Sequence, residues 1–151
     1  MNLTLHTDYS LRILLYLAEH SDRPVSTREI SDAYGISRNH LVRVVQTLQS
    51  HSFVNAATGR SGGITLACDP GRINIGEVVR KTEPNFRIVE CFDVKENTCR
   101  IVPVCTLRGV LSKALESFFD TLDGYTLADL VRMKGNQRLS DFLPLQNLAA
   151  S

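Results

Sequence analysis

Three of the chain's four cysteines, Cys91, Cys99 and Cys105, fall in the single stretch VECFDVKENTCRIVPVCTL, with seven and then five residues between them. Thiolates are soft ligands for zinc and for iron–sulfur clusters, and they are also redox nucleophiles. The residues around them, Asp93, Lys95, Glu96, Asn97 and Arg100, are polar, so the trio does not follow a hydrophobic stripe as buried cysteines do. Structural zinc sites usually draw their thiols in knuckles with about two to four residues between them. The longer gaps here suit a larger object gripped at separate corners, and an iron–sulfur cluster fits. Such a cluster wants a further ligand, and the local sequence has no other thiol. Cys68, His6, Asp8, His40, His51, Glu90 and Asp93 are all chemically able to supply it. Cys68 on its own reads as a small buried hydrophobe.

The elements that must carry this loop are legible from periodicity and caps. SLRILLYLAEH is apolar almost all round, which predicts a buried helix from Thr7 to Glu19. In STREISDAYG, Ser26 and Glu29 stand in the capping-box relation and Gly35 ends the helix. Ser37 then caps a third helix with Leu41, Val44, Val45 and Leu48 on one side and Asn39, Arg43 and Gln46 on the other. Two runs of strand formers, FVNAA and ITLAC, flank the Gly-rich basic TGRSGG and predict a hairpin. Helix, turn, helix and hairpin together describe a winged helix-turn-helix. Asn74 caps a helix carrying Ile75, Val78 and Val79. Beyond the cysteines, Leu107, Val110, Leu111, Ala114, Leu115, Phe118, Phe119 and Leu122 form an amphipathic stripe that Gly124 ends. One helix cannot bury such a stripe alone, so it is expected to pair with its copy in a homodimer.

The fold class expected is mainly α with a small β-hairpin: a winged helix-turn-helix plus a long dimerisation helix. The organisation predicted is residues 1–68 as the DNA-binding domain, 69–105 as a connecting helix and cysteine loop, 106–131 as the dimerisation helix and a following turn, and 132–151 as a flexible tail. At 151 residues and 43% apolar composition, one compact body is expected. The beginning, MNLTLHTDYS, has no basic stretch and the apolar run after it carries Arg12, so no secretory leader is expected. No stretch approaches the roughly 20 apolar residues of a membrane span. A cytoplasmic protein follows, in a compartment where disulfides are disfavoured.

Net charge is only +1, but its distribution matters more. From Ala33 to Cys68 there is no Asp or Glu, while Arg38, Arg43 and Arg60 are present with His40 and His51. A surface that faces phosphates must exclude carboxylates. Arg suits guanine and Asn or Gln suits adenine in the major groove, so Arg38, Asn39, Arg43 and Gln46 are candidate base readers, with Ser37 and His40 beside them. Thr27 and Arg28 are placed to meet phosphates, and Arg60, Ser61 and Gly62 form the wing tip, with Arg60 suited to a minor groove. The expected partner is double-stranded DNA with a palindromic operator. There is no C-x-x-C, no phosphate loop and no nucleophile with a visible base, so an enzyme is not expected.

LTLHTDYSLRILLYLA, ISRNHLVRVVQTL, GRSGGITLA, INIGEVVRKTE and a cysteine loop running into a long helix together resemble the Rrf-type transcription repressors, over nearly the whole chain up to about Val131. Within that family the likeness is to the nitric-oxide-sensing members. The resemblance implies a dimeric repressor that holds a 4Fe-4S cluster, with 2Fe-2S as the alternative, through Cys91, Cys99 and Cys105, and that loses operator affinity when the cluster is nitrosylated or lost. It also implies that Asp8, in TDYSLR, is the ligand supplied by the other subunit. Members that regulate iron–sulfur assembly carry a ligand His three residues past the third cysteine, where this chain has Arg108. Iron-responsive members have Asn where Asp8 stands and lack the NHLVRVV helix. An iron- or redox-responsive repressor, or a zinc- or thiol-sensing one, stays open as an alternative on the same fold.

Overall fold

The computed structural model describes residues 2–59, 62–93 and 95–132. Expectations for Arg60, Ser61 and the tail from residue 133 onward lie outside the described residues.

Helix α1 (Leu5–Glu19) begins two residues before the Thr7 expected, because extended Thr4 caps it by accepting the N–H of Thr7. Its Ile13, Leu14 and Leu17 are buried, and it packs against most of the other elements, so it is the central post of the body. Helix α2 (Thr27–Tyr34) is capped by Ser26, whose Oγ accepts the Glu29 N–H at 3.1 Å. The return half of the expected capping box does not form; the Glu29 carboxylate turns to Tyr16 and Arg23 instead. Gly35 ends α2 in the left-handed conformation at φ 65°, where a Cβ is disfavoured. Helix α3 (Arg38–Ser50) follows at once under the Ser37 cap and buries Leu41, Val44, Val45 and Leu48. Those four residues are the face that periodicity marked.

Strands β1 (Val54–Ala57) and β2 (Gly63–Leu66) pair antiparallel, with Val54 opposite Leu66 and Ala57 opposite Gly63. Val25, in the α1–α2 connection, bridges the other edge of β2 by exchanging backbone hydrogen bonds with Ile64 at 3.0 and 2.8 Å. The chain approaches itself closely there: a Cβ on Gly63 would lie 2.8 Å from the Pro24 side chain. The wing is therefore fastened at its base to the segment that launches α2.

Residues 1–68 do not close their core alone. Helix α4 (Ile75–Thr82), capped by Asn74, contributes Ile75 and Val78, the preceding residue Ile73 is buried, and Leu127 of α6 (Leu127–Arg132) seals the far side. The segment after α5 is drawn back by Leu127 N–H donating to Ile73 and Ile75 N–H donating to Tyr125, at 2.8 and 3.0 Å. The Asp69–Pro70–Gly71 turn is thus a surface corner within one continuous core. Helix α5 (Thr106–Asp123) is different: none of its 18 residues is buried. Among the described residues its foot is held by the paired Arg80–Asp123 hydrogen bonds at 2.6 Å, by Arg80 lying 4.3 Å from the Phe119 ring centre, by Phe86 edge-on to Phe119 and by Leu122 against the core. Toward its start the stripe is open, with Leu107 and Val110 exposed by 60% and 63%. Covering such side chains yields about 1.5–3 kcal/mol each, so the open stripe is a store of association energy. No helix among the described residues is long and apolar enough to cross a membrane.

Candidate metal centre and nucleic-acid interface

The thiols sit in the connection between α4 and α5, a segment braced by local hydrogen bonds. Cys91 lies inside a 3-10 turn, Glu90–Phe92. The Glu90 carboxylate accepts both the N–H and the hydroxyl of Thr98 at 2.6 Å, and these bonds hold its pKa below the usual glutamate range. Asp93, 8% exposed, pairs with Arg87 and accepts the N–H of Lys95 at 2.9 Å. Glu90 and Asp93, both candidates for a fourth ligand, are therefore braces of the loop. Cys99 N–H donates to Asn97 at 3.1 Å, and a second 3-10 turn, Val102–Val104, delivers the chain to Cys105. Cys105 is the residue at the head of α5, where the helix's unpaired N–H groups favour negative charge on whatever the sulfur holds.

All three thiols are free and half-buried, outside the hydrophobic core. Among the described residues, no three His, Cys, Asp or Glu side chains converge on a point that one metal ion could occupy. The donor set, three soft sulfurs spread along one loop, fits a cluster that takes a thiolate at each corner better than it fits a single ion. Cys68 is separate, packed against the core beside a cavity of about 160 Å³ that Leu17, His20 and Thr65 also line. Of the imidazoles named as alternatives, His6 is on α1, His40 on the exposed side of α3, and His51 at the end of α3. Asp8 lies in the first turn of α1, its carboxylate 39% exposed and ion-paired with Arg12 at 2.7 Å. Both of its oxygens are engaged by the Arg12 guanidinium, the second at 3.1 Å from Nε.

The second candidate site is the outer side of the helix-turn-helix. Arg38, Asn39, His40, Arg43 and Gln46 are all exposed on α3, opposite its buried stripe. Ser37 is engaged as the helix cap, its Oγ accepting the His40 N–H at 3.4 Å, and His40 approaches the Tyr9 ring at 6.4 Å. Thr27 and Arg28 open α2, with Arg28 reaching outward past a loose 3.7 Å pair with Asp32. Gly62 is required by close packing: a Cβ there would fall 2.4 Å from the Ala57 carbonyl oxygen.

Two networks that support these sites carried no sequence signal. Glu29 receives Tyr16 Oη at 3.0 Å and both Arg23 nitrogens at 3.0 and 2.5 Å, fastening the head of α2 to α1. The Arg23 hydrogen bonds pull the Glu29 pKa down against the opposing effect of burial, while burial foremost pushes Tyr16 up to about 12. Glu83, at the end of α4, accepts the Thr4 N–H at 3.1 Å and the hydroxyls of Thr4 and Thr7, so the segment leading into the cysteine loop is tied to the head of α1.

A helix-turn-helix with a hairpin wing, an exposed face of α3 that carries no Asp or Glu and a long uncovered helix defines a winged-helix transcriptional regulator that acts on DNA. The family profile described as "Rrf2: Iron-dependent Transcriptional regulator" matches residues 3–133. The chain belongs to the Rrf2 family. It is 51% identical to the HTH-type transcriptional regulator NsrR of Bacillus subtilis over 89% of this chain and 92% of that one. With the protein of the same name from Bacillus licheniformis it shares 48% identity, covering 87% and 92%. The fold is shared with the solved structure of T. potens IscR, at a TM-score of 0.71 and 24% identity over 88% of each chain.

Proposed function

We propose that the chain is a homodimeric, cytoplasmic repressor that holds an iron–sulfur cluster of the 4Fe-4S type and releases its operator in response to nitric oxide. The observation that carries this reading is the placement of three free, half-buried thiols on the one connection that joins the core to the uncovered helix α5. Its likeness to regulators named NsrR supports it further.

Cys91, Cys99 and Cys105 would hold the cluster, and Asp8 of the partner subunit would complete the ligand set. When bound, the cluster supplies iron that reacts with nitric oxide. The remaining parts are the chain's own. Cys105 touches the first residue of α5, so the thiol loop and the dimer helix move together. The Arg80–Asp123 clamp joins α5 to α4, and Glu83 joins α4 to α1, which packs on α3. A carboxylate is a harder and more exchangeable ligand for iron than a thiolate, which makes the Asp8 side the accessible one. On DNA, Arg38, Asn39, Arg43 and Gln46 would meet base edges, and Thr27, Arg28, Ser37, His40 and the wing residues Arg60, Ser61 and Gly62 the backbone and minor groove. A hundred- to thousand-fold loss of operator affinity requires about 3–4 kcal/mol, within reach of disordering one loop and misplacing two reading helices.

The test is anaerobic reconstitution with iron and sulfide, followed by nitric oxide titration with visible absorbance and DNA retention read together. Both should fall in step. Loss of absorbance with full retention would overturn the sensing mechanism, and freshly made protein lacking iron and acid-labile sulfide yet binding DNA fully would overturn the cofactor. An Asp8→Ala variant that assembles the cluster with unchanged reactivity would remove Asp8 from the set.

A further inference from the structure

Between Thr7 and Cys68, Val42 is the one large apolar side chain that the fold leaves exposed among the described residues, at 45%. Its position is specific. On the surface of α3 it lies one turn beyond Arg38 and Asn39 and one turn before Gln46, the spacings at which helical side chains are neighbours. The helix buries its other apolar residues, Leu41, Val44, Val45 and Leu48, along an adjacent stripe, and Val42 flanks that stripe on the side of Arg38, Asn39 and Gln46 while staying out of the core. A β-branched residue is also not what helix propensity favours at a solvent-facing position.

Only thymine presents a methyl group in the major groove, and an aliphatic side chain recognises it by excluding water from both. We propose that Val42 is a specificity residue that reads the C5 methyl of a thymine, the apolar member of a set whose polar members are Arg38, Asn39, Arg43 and Gln46. Asn39 is the side-chain type suited to adenine, so the two residues together select for A·T pairs at that part of each half-site. The inference rests on the reading of α3 as the recognition helix, and its test separates the two.

Full-length protein, prepared anaerobically with iron and sulfide, selects duplexes from a random-sequence pool. Each thymine of the selected duplex is then replaced in turn by deoxyuridine, which lacks only the methyl. The unaltered chain should lose about three- to fivefold in affinity at one thymine per half-site, the worth of roughly one buried methyl group. Val42→Ala should bind the thymine and deoxyuridine duplexes alike. Indifference of the unaltered chain to every replacement would overturn the proposal, as would a Val42→Ala variant that keeps the full discrimination, when Arg43→Ala still weakens binding. If Arg43→Ala and Asn39→Ala both bind as the unaltered chain does, the recognition-helix reading falls and the role of Val42 falls with it.

Discussion

Glu29 shows how one carboxylate can set the position of a reading element without touching DNA. It closes a triangle with Tyr16 on α1 and Arg23 in the connection, and so fixes the start of α2, where Thr27 and Arg28 stand. Because Arg23 lowers the Glu29 pKa in the folded state, the triangle stabilises the fold above the ordinary glutamate range and ceases to do so as pH falls through the lowered value. Glu29→Gln should therefore cost about 1–2 kcal/mol at neutral pH in urea unfolding, and the gap between the two proteins should shrink steadily in acid. Sequence alone could place Glu29 as a capping-box partner, since that motif is local. It could not show that Arg23 and Tyr16 outcompete the backbone for the same carboxylate, because this depends on how α1 lies across α2. The thiols pose a similar limit: their spacing marks a loop suited to a cluster, whereas the bonds of Glu90 to Thr98 and of Asp93 to Arg87 emerge only once the loop is folded.

At the scale of elements, the parts set by short-range rules were readable in advance. Ser26, Ser37 and Asn74 cap the helices they were expected to cap, Gly35 ends α2 with a positive φ, and the buried face of α3 is the one its period marks. The fastening of β2 to Val25 was not readable, since a single bridge leaves no periodic trace. The stripe of α5 is the clearest case of an element whose pattern exceeds what its own chain can cover. A charge placed in its open part should therefore act on assembly and not on folding. Val110→Glu is expected to run as a monomer in light scattering and to lose tight operator binding, while its unfolding free energy at low concentration stays within about 0.5 kcal/mol of the unaltered monomer. A dimer of undiminished affinity would show that the association surface lies elsewhere.

For the molecule as a whole, the consequential contacts are those between residues far apart in sequence. Glu83 reaches back 76 to 79 positions to Thr7 and Thr4, and Thr7 is fully buried. Removing the carboxylate leaves that hydroxyl with the Thr4 Oγ1, at 3.2 Å, as its partner, so Glu83→Ala should cost about 1–3 kcal/mol in chemical unfolding, and the amides in the first turn of α1 should exchange faster with deuterium. No reading of composition or period identifies such a pair, which explains why a boundary drawn after residue 68 looks natural in the sequence while the core runs on through Ile73, Ile75, Val78 and Leu127.

The foot of α5 carries one more implication. The Asp123 carboxylate that grips Arg80 rests directly on Gly76, where a Cβ would come within 1.9 Å of its oxygen. The missing side chain at that point is thus a socket, and the seating of α5 on α4 depends on a residue with no side chain to offer. One added methyl on α4 would push the Asp123 carboxylate off Arg80 and slacken the grip on the foot of α5, while leaving all four thiols untouched.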